Sequence, residues 1–142
     1  MKVQVLYLDK LKFDAEKKLA DKYLERINFI GNKLINPIIL KHANTKEIDQ
    51  ELNTSSFNIL LDERGKNLTT LKFAELLIES THKKINFFIG DTNGFSDIMK
   101  KKADLLLSIS PMTLTHSFAT IILLEQIYRA ITIKVNHPYH KN

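Results

Sequence analysis

Short apolar runs alternate with amphipathic stretches along most of this chain. Val3, Val5 and Tyr7 alternate with Gln4 within Lys2–Leu8, a period of two that predicts a first strand. From Asp14 to Ile27 the period changes. Leu19, Tyr23 and Ile27 recur four apart among lysines and acids, which predicts an amphipathic surface helix with Asp14 as its N-cap. Further strands are expected at Asn36–Leu40 (a buried one), Phe57–Leu61, Ile85–Ile89 and Leu105–Ile109. Between them, the polar piece Thr45–Leu52, then Leu68–Ser80 and Ser96–Lys102 read as helices. Leu71, Ala74, Leu77 and Ile78 make the apolar face of the middle one, and Ser96 caps the last. A final helix, capped by Thr113 or Thr115, runs to about Ile133. Strands that alternate with helices and are apolar on both sides predict an α/β fold, a mostly parallel sheet flanked by helices on both faces. No linker, repeat or low-complexity segment divides residues 1–142, so one domain is expected.

Ligands of open parallel sheets bind beyond the carboxyl ends of the strands. Three such ends stand out: Leu61-Asp62 through Gly65, Gly90 through Gly94, and Ile109 through Leu114. Taken singly, each is ordinary turn chemistry. The Gly90 loop is neither a GxGxxG fingerprint nor a phosphate-binding loop, which argues against a dinucleotide or nucleoside triphosphate. The final helix is apolar nearly all round, with Phe118, Ile121, Ile122, Leu123, Leu124, Ile127, Tyr128 and Ile131. Such a helix needs two apolar neighbours, and a second copy of the chain is the simpler source of the second one. Within it, Glu125 and Arg129 stand one turn apart. The pair is either helix support or an arginine held rigidly to meet a phosphate or a base.

Composition narrows the chemistry. With no cysteine there is no disulfide, thiolate metal site or cysteine nucleophile, which suits a reducing cytoplasm. The formal charge of +5 favours anionic partners such as RNA, and no apolar run is long enough to span a membrane. His137 and His140 lie three apart in a proline-containing tail without a partnered carboxylate, so no metal is expected. Neither a nucleophile elbow nor a carboxylate pair supports a hydrolase.

The run LLLSISPMTLTH, then LLEQIYRAITI and the ending NHPYHK, resembles the bacterial large-subunit ribosomal RNA methyltransferase H family, pseudouridine N3-methyltransferases of the SPOUT superfamily. The likeness extends more loosely over the whole chain; here Gly90-Asp91 stands where the family has Gly-Gly, and Thr115 where it has proline. The resemblance implies a C-terminal part threaded into a trefoil knot, a homodimer, and S-adenosylmethionine held by Leu61, Gly90, Asp91 and the segment Ile109, Ser110, Pro111, Met112, Thr113 and Leu114. It implies as substrate a pseudouridine of large-subunit rRNA, methylated in the assembled ribosome. Arg129, held by Glu125, would orient the base or a phosphate, and His116 would shape its loop. Tyr139 and His140 would contact the nucleotide, with His140 a candidate proton acceptor. The competing expectation is a non-catalytic dimeric RNA- or ribosome-binding module of the same fold.

Overall fold

The computed structural model describes residues 1–141; Asn142, the last residue of the expected tail, lies outside the described residues. Five strands, β1 (Lys2–Tyr7), β2 (Ile38–His42), β3 (Phe57–Asn67), β4 (Lys84–Ile89) and β5 (Leu105–Ser108), form one sheet in the order β2-β1-β4-β3-β5. Every pairing is parallel. Helices α1 (Asp14–Gly31), α2 (Thr45–Leu52), α3 (Thr70–Ile78), α4 (Asp97–Lys102) and α5 (His116–Lys134) connect them.

Strand alternation sorts the core into two layers. Val3, Val5, Ile59, Ile85 and Phe87 point to the side covered by α1, α3 and α5, where they meet Ile27, Leu77, Leu123, Leu124 and Ile127. Leu6, Leu60 and Phe88 point the other way, against Ile48 and Leu52 of α2 and Met99 of α4. Three amides share that second face in register. Gln4 Nε2 donates to Asn86 Oδ1 at 3.1 Å, Asn86 Nδ2 to Asn58 Oδ1 at 3.0 Å, and Asn58 Nδ2 to the Leu52 carbonyl at 3.3 Å. Each buried amide thus finds partners, and the rung ties the three central strands together.

Several boundaries differ from those expected, each for a local reason. β2 starts at Ile38, after a cis Asn36–Pro37 bond, and is an edge strand whose end at His42 is exposed, so it is not a buried strand. Phe13, not Asp14, is the N-cap of α1, and the helix continues to Gly31. Leu19 is 42% exposed; Ala20, Ile27 and Gly31 are the buried positions. In α3, capped by the Thr69 hydroxyl, Leu71 is half exposed and Phe73 is buried instead. β3 continues through the polar run that reads as a loop: Leu61 and Lys66 both stand opposite Leu107, so Asp62–Gly65 arch out of the ladder before pairing resumes. The second apolar neighbour of α5 is also found within the chain, because α5 lies between α1 and α3. Its apolar circumference therefore does not by itself demand a partner subunit.

Candidate active site

The three strand ends meet. A pocket of about 510 Å³ opens at the carboxyl edge of the sheet, walled by the Asp62–Gly65 arch, the loop from Gly90 to Phe95 and the Ile109–Leu114 segment, with His116 and Ala119 of α5 behind. Of the expected donor-binding residues, Leu61, Gly90, Asp91, Ile109, Ser110, Met112, Thr113 and Leu114 all line it. Pro111 lies within the same segment but does not line it.

Each wall is built from its own sequence. A β-carbon on Gly65 would stand 2.7 Å from the Leu106 backbone, so only glycine lets the arch cross β5 this closely. The arch is then tied at two points. Asp62 pairs with Lys100 of α4 at 2.8 Å and accepts from the Arg64 amide at 2.8 Å, while Glu63 accepts from the Thr113 hydroxyl at 3.0 Å across the pocket rim. The hydrogen bond from Lys100 leads the effects that hold the Asp62 carboxyl below the usual carboxylate range, so it is ionised at neutral pH.

In the second wall, Gly90 is favoured by close approach rather than by φ: a β-carbon there would sit 3.2 Å from both the Gly94 Cα and the Phe95 ring, so one of them would have to give by a few tenths of an ångström. Gly94 is the residue with positive φ, +69°. Asp91 therefore meets no left-handed constraint. Its carboxylate accepts from the Asn93 amide at 2.9 Å, an Asx turn that closes the loop on itself. In the third wall, Ser110 accepts from the Met112 amide and its carbonyl accepts from Ser108, which shapes the turn before Thr115 caps α5 through the Phe118 amide.

A second cluster forms around the tail. Asn136, at φ +56°, ends α5, and the His137 amide reaches back to the Thr132 carbonyl at 2.9 Å, the Schellman arrangement. The chain doubles back along its own helix. Tyr139 lands edge-on against Tyr128 with centroids 4.7 Å apart, donates to Glu125 at 3.0 Å, and lies under the Arg129 guanidinium at 4.7 Å. Glu125 binds Arg129 through Nε at 2.9 Å and Nη2 at 2.6 Å, which raises the arginine pKa further. Burial, then the Tyr23 hydroxyl and Glu125, push the Tyr139 phenol well above its ordinary range, so it remains a donor. Arg129 Nη1 lies 3.3 Å from His140 Nδ1. A guanidinium only donates, so that nitrogen accepts and Nε2 carries the ring proton.

Arg129, Tyr139 and His140 are thus brought together, but not to the pocket. His116 lies at the start of α5; Arg129 lies more than three turns along it, roughly 20 Å at ~1.5 Å per residue. Sequence reasoning also missed Tyr23 and Arg26 of α1, which extend the cluster: Arg26 stacks over both Tyr23 and Tyr128. For Tyr23 the four-residue spacing from buried Ile27 was the available hint; nothing in the sequence singles out Arg26. Among the described residues no group of three or more histidines and carboxylates stands where it could hold a metal ion.

A parallel sheet with a glycine-bearing pocket at its carboxyl edge and an α5 that starts at that pocket defines a SPOUT-type methyltransferase, and the chain belongs to that family: its model, described as "Predicted SPOUT methyltransferase", matches residues 1–140. Within it, this chain is 38% identical over 151 aligned positions to "Ribosomal RNA large subunit methyltransferase H" of Campylobacter jejuni subsp. doylei, covering 99% of this chain and 100% of that protein. It is 37% identical to the protein of the same name from Prochlorococcus marinus subsp. pastoris, over 96% of this chain and 99% of the other. Among solved structures, a probable methylase family protein from Haemophilus influenzae Rd KW20 shares the fold with a TM-score of 0.64 at 13% identity, over 99% of this chain and 70% of that one. The putative methyltransferase Lpg2936 of Legionella pneumophila, solved with bound S-adenosylmethionine, matches with a TM-score of 0.55 at 14% identity, over 92% of this chain and 66% of that one.

Proposed function

We propose that the protein transfers a methyl group from S-adenosylmethionine to N3 of a pseudouridine in large-subunit rRNA of the assembled ribosome. In this reading residues 1–142 form one domain, knotted through its C-terminal part, that works in the cytoplasm as a homodimer. The observation that carries it is the convergence of all three strand-end loops on one pocket in a chain of this family. The names of the relatives supply the substrate class.

The pocket fits the donor by its chemistry. Its volume lies in the range of about 300–1,000 Å³ of small-molecule sites, with apolar walls from Leu61, Ile89, Leu107, Ile109 and Leu114 and with loop backbone exposed at its rim. Leu61, Gly90, Asp91, Ile109, Ser110, Met112, Thr113 and Leu114 would hold it, with Pro111 shaping their segment from outside the pocket. When bound, S-adenosylmethionine supplies an electrophilic methyl group on a positive sulfonium. The chain's own residues then have to position a base and exclude water.

Arg129 suits that task, because Glu125 fixes its Nε and Nη2 while Nη1 faces His140. Tyr139 holds its proton in the bond to Glu125 and packs under the Arg129 guanidinium, so it helps to fix the arginine that would meet the nucleotide. His140 stands beside Arg129 through its Nδ1; accepting the N3 proton there would require Nδ1 to leave Arg129. The roughly 20 Å between this cluster and the pocket of the same chain favours a composite site, in which the tail of one protomer meets the donor pocket of its partner.

Ribosomes from a strain lacking the gene, incubated with the protein and labelled S-adenosylmethionine, should acquire label that nucleoside mass spectrometry finds as N3-methylated pseudouridine. Ribosome binding with no donor binding in calorimetry and no labelled rRNA would instead indicate a non-catalytic module.

A further inference from the structure

We propose that the segment Asp9–Phe13 is an RNA-gripping loop, in which Lys10 and Lys12 contact phosphates and Phe13 stacks on an unpaired base of the substrate RNA; this rests on the function proposed above. The loop leaves β1 at the same edge of the sheet as the donor pocket. Asp9 meets His116, which lines that pocket, at 3.4 Å. Two residues on, Leu11 is 5% exposed and belongs to the core. With Asp9 and Leu11 both anchored inward, Lys10 and Lys12 are forced outward, and both are exposed without an ion pair among the described residues.

Phe13 is the unusual member. It occupies the N-cap of an 18-residue helix, a position where Ser, Thr, Asp or Asn stabilises by accepting a backbone N–H. A phenyl ring accepts nothing. Only half of a capping box remains, with Glu16 accepting from the Phe13 amide at 3.2 Å. The ring is 68% exposed, so it does not repay the lost cap by burial in the core. Of the neighbouring acids, Asp9 faces His116, Asp14 lies 4.0 Å from Lys17 and Glu16 accepts from the Phe13 amide, so none of them pairs with Lys10 or Lys12. Two free cations and an outward aromatic on an anchored loop match what unpaired RNA asks for, backbone charge plus a stacking face.

The test uses full-length protein, Phe13→Ala, Phe13→Trp and the double variant Lys10→Ala/Lys12→Ala, with ribosomes from the gene-deficient strain as the probe. Affinity is read by co-sedimentation over a salt series, protomer association by light scattering, and folding by S-adenosylmethionine calorimetry. Phe13→Ala should weaken ribosome binding about tenfold, with Phe13→Trp restoring it. The lysine pair should flatten the salt dependence by a slope of about two. Donor affinity and mass should not change. Unaltered binding and slope in both variants overturn the proposal. So does a loss of dimer mass in Phe13→Ala, which would assign the ring to a second copy of the chain. Because co-sedimentation needs no methyl transfer, a catalytically silent wild-type protein would sink the proposed reaction while leaving this loop decided by its own readout.

Discussion

At Gly65 a single missing β-carbon decides whether the donor pocket has its first wall. The clash that any side chain would create is with the backbone of Leu106 and Leu107, which cannot swing aside as a side-chain tip would. Gly65→Ala is expected to cost roughly 2–3 kcal/mol, within the range of strained or overpacked sites, and to weaken donor binding along with it. Thermal unfolding and calorimetry on the variant check both. Asp62 works differently, through charge. Its folded pKa is depressed, so the stabilisation it contributes is present above its unfolded value, near 3.8, and is lost as pH falls through the folded one. Removing the partner with Lys100→Met should therefore lower stability at pH 7 by about 1–2 kcal/mol, a charge-assisted hydrogen bond's worth. The gap to wild type should begin to shrink below about pH 4 and close only as the wild-type carboxyl, held lower by Lys100, protonates in its turn. Melting curves at pH 7 and pH 3 that show the same gap would count against the pairing. Asp91 shows what residue types alone conceal. Its carboxylate is committed to the Asn93 amide, a contact that follows from the Asp-x-Asn spacing but competes in the sequence with every other place a loop carboxylate might point.

Elements were legible where periodicity was strong and obscure where polar residues continue a strand. β1 and β4 read directly from their apolar runs, α2 stands where a polar helical piece is expected, and the parallel-sheet rule places the pocket at the strand ends. The β3 extension was not legible, because Asp62-Glu63-Arg64-Gly65 has the composition of a turn and is held in place by β5 and Lys100, neither of them local. The return of the tail was equally hidden. It depends on one left-handed residue, Asn136, and on Tyr139 finding Tyr128 eleven positions earlier. This gives the tail more than a frayed terminus would have, since the Tyr139 ring packs against the core. Asn136→Val should strain that turn by about 1–2 kcal/mol and release the tail, whereas Asn136→Gly should keep it. Methylation of ribosomes should fall in the valine variant and persist in the glycine one, with donor affinity equal in both. Loss in neither would mean that the folded-back tail plays no part in the reaction.

Across the whole molecule, α5 both connects and separates the chemistry. It starts at the strand-end pocket and carries Glu125 and Arg129 away from it, so one chain holds the pocket and the tail cluster about 20 Å apart. Sequence adjacency made them look like one site, because a helix written as letters has no length. If the protein acts as the two-fold homodimer with composite sites proposed above, the tail cluster of each protomer meets the pocket of the other, and each site draws on both chains. That arrangement makes a quantitative demand. Arg129→Ala spoils the tail half alone, and Gly90→Val, whose side chain would collide with Gly94 and Phe95, spoils the pocket half alone. Each variant should methylate ribosomes poorly by itself. After unfolding and refolding of an equal mixture, half the dimers pair one of each kind, and in these one site joins the two sound halves while the other joins the two damaged ones. Activity should return to about a quarter of that of wild type refolded alongside. If both halves instead came from one chain, every site in the mixture would contain a damaged half, and methyl incorporation into rRNA would stay at the level of the separate variants.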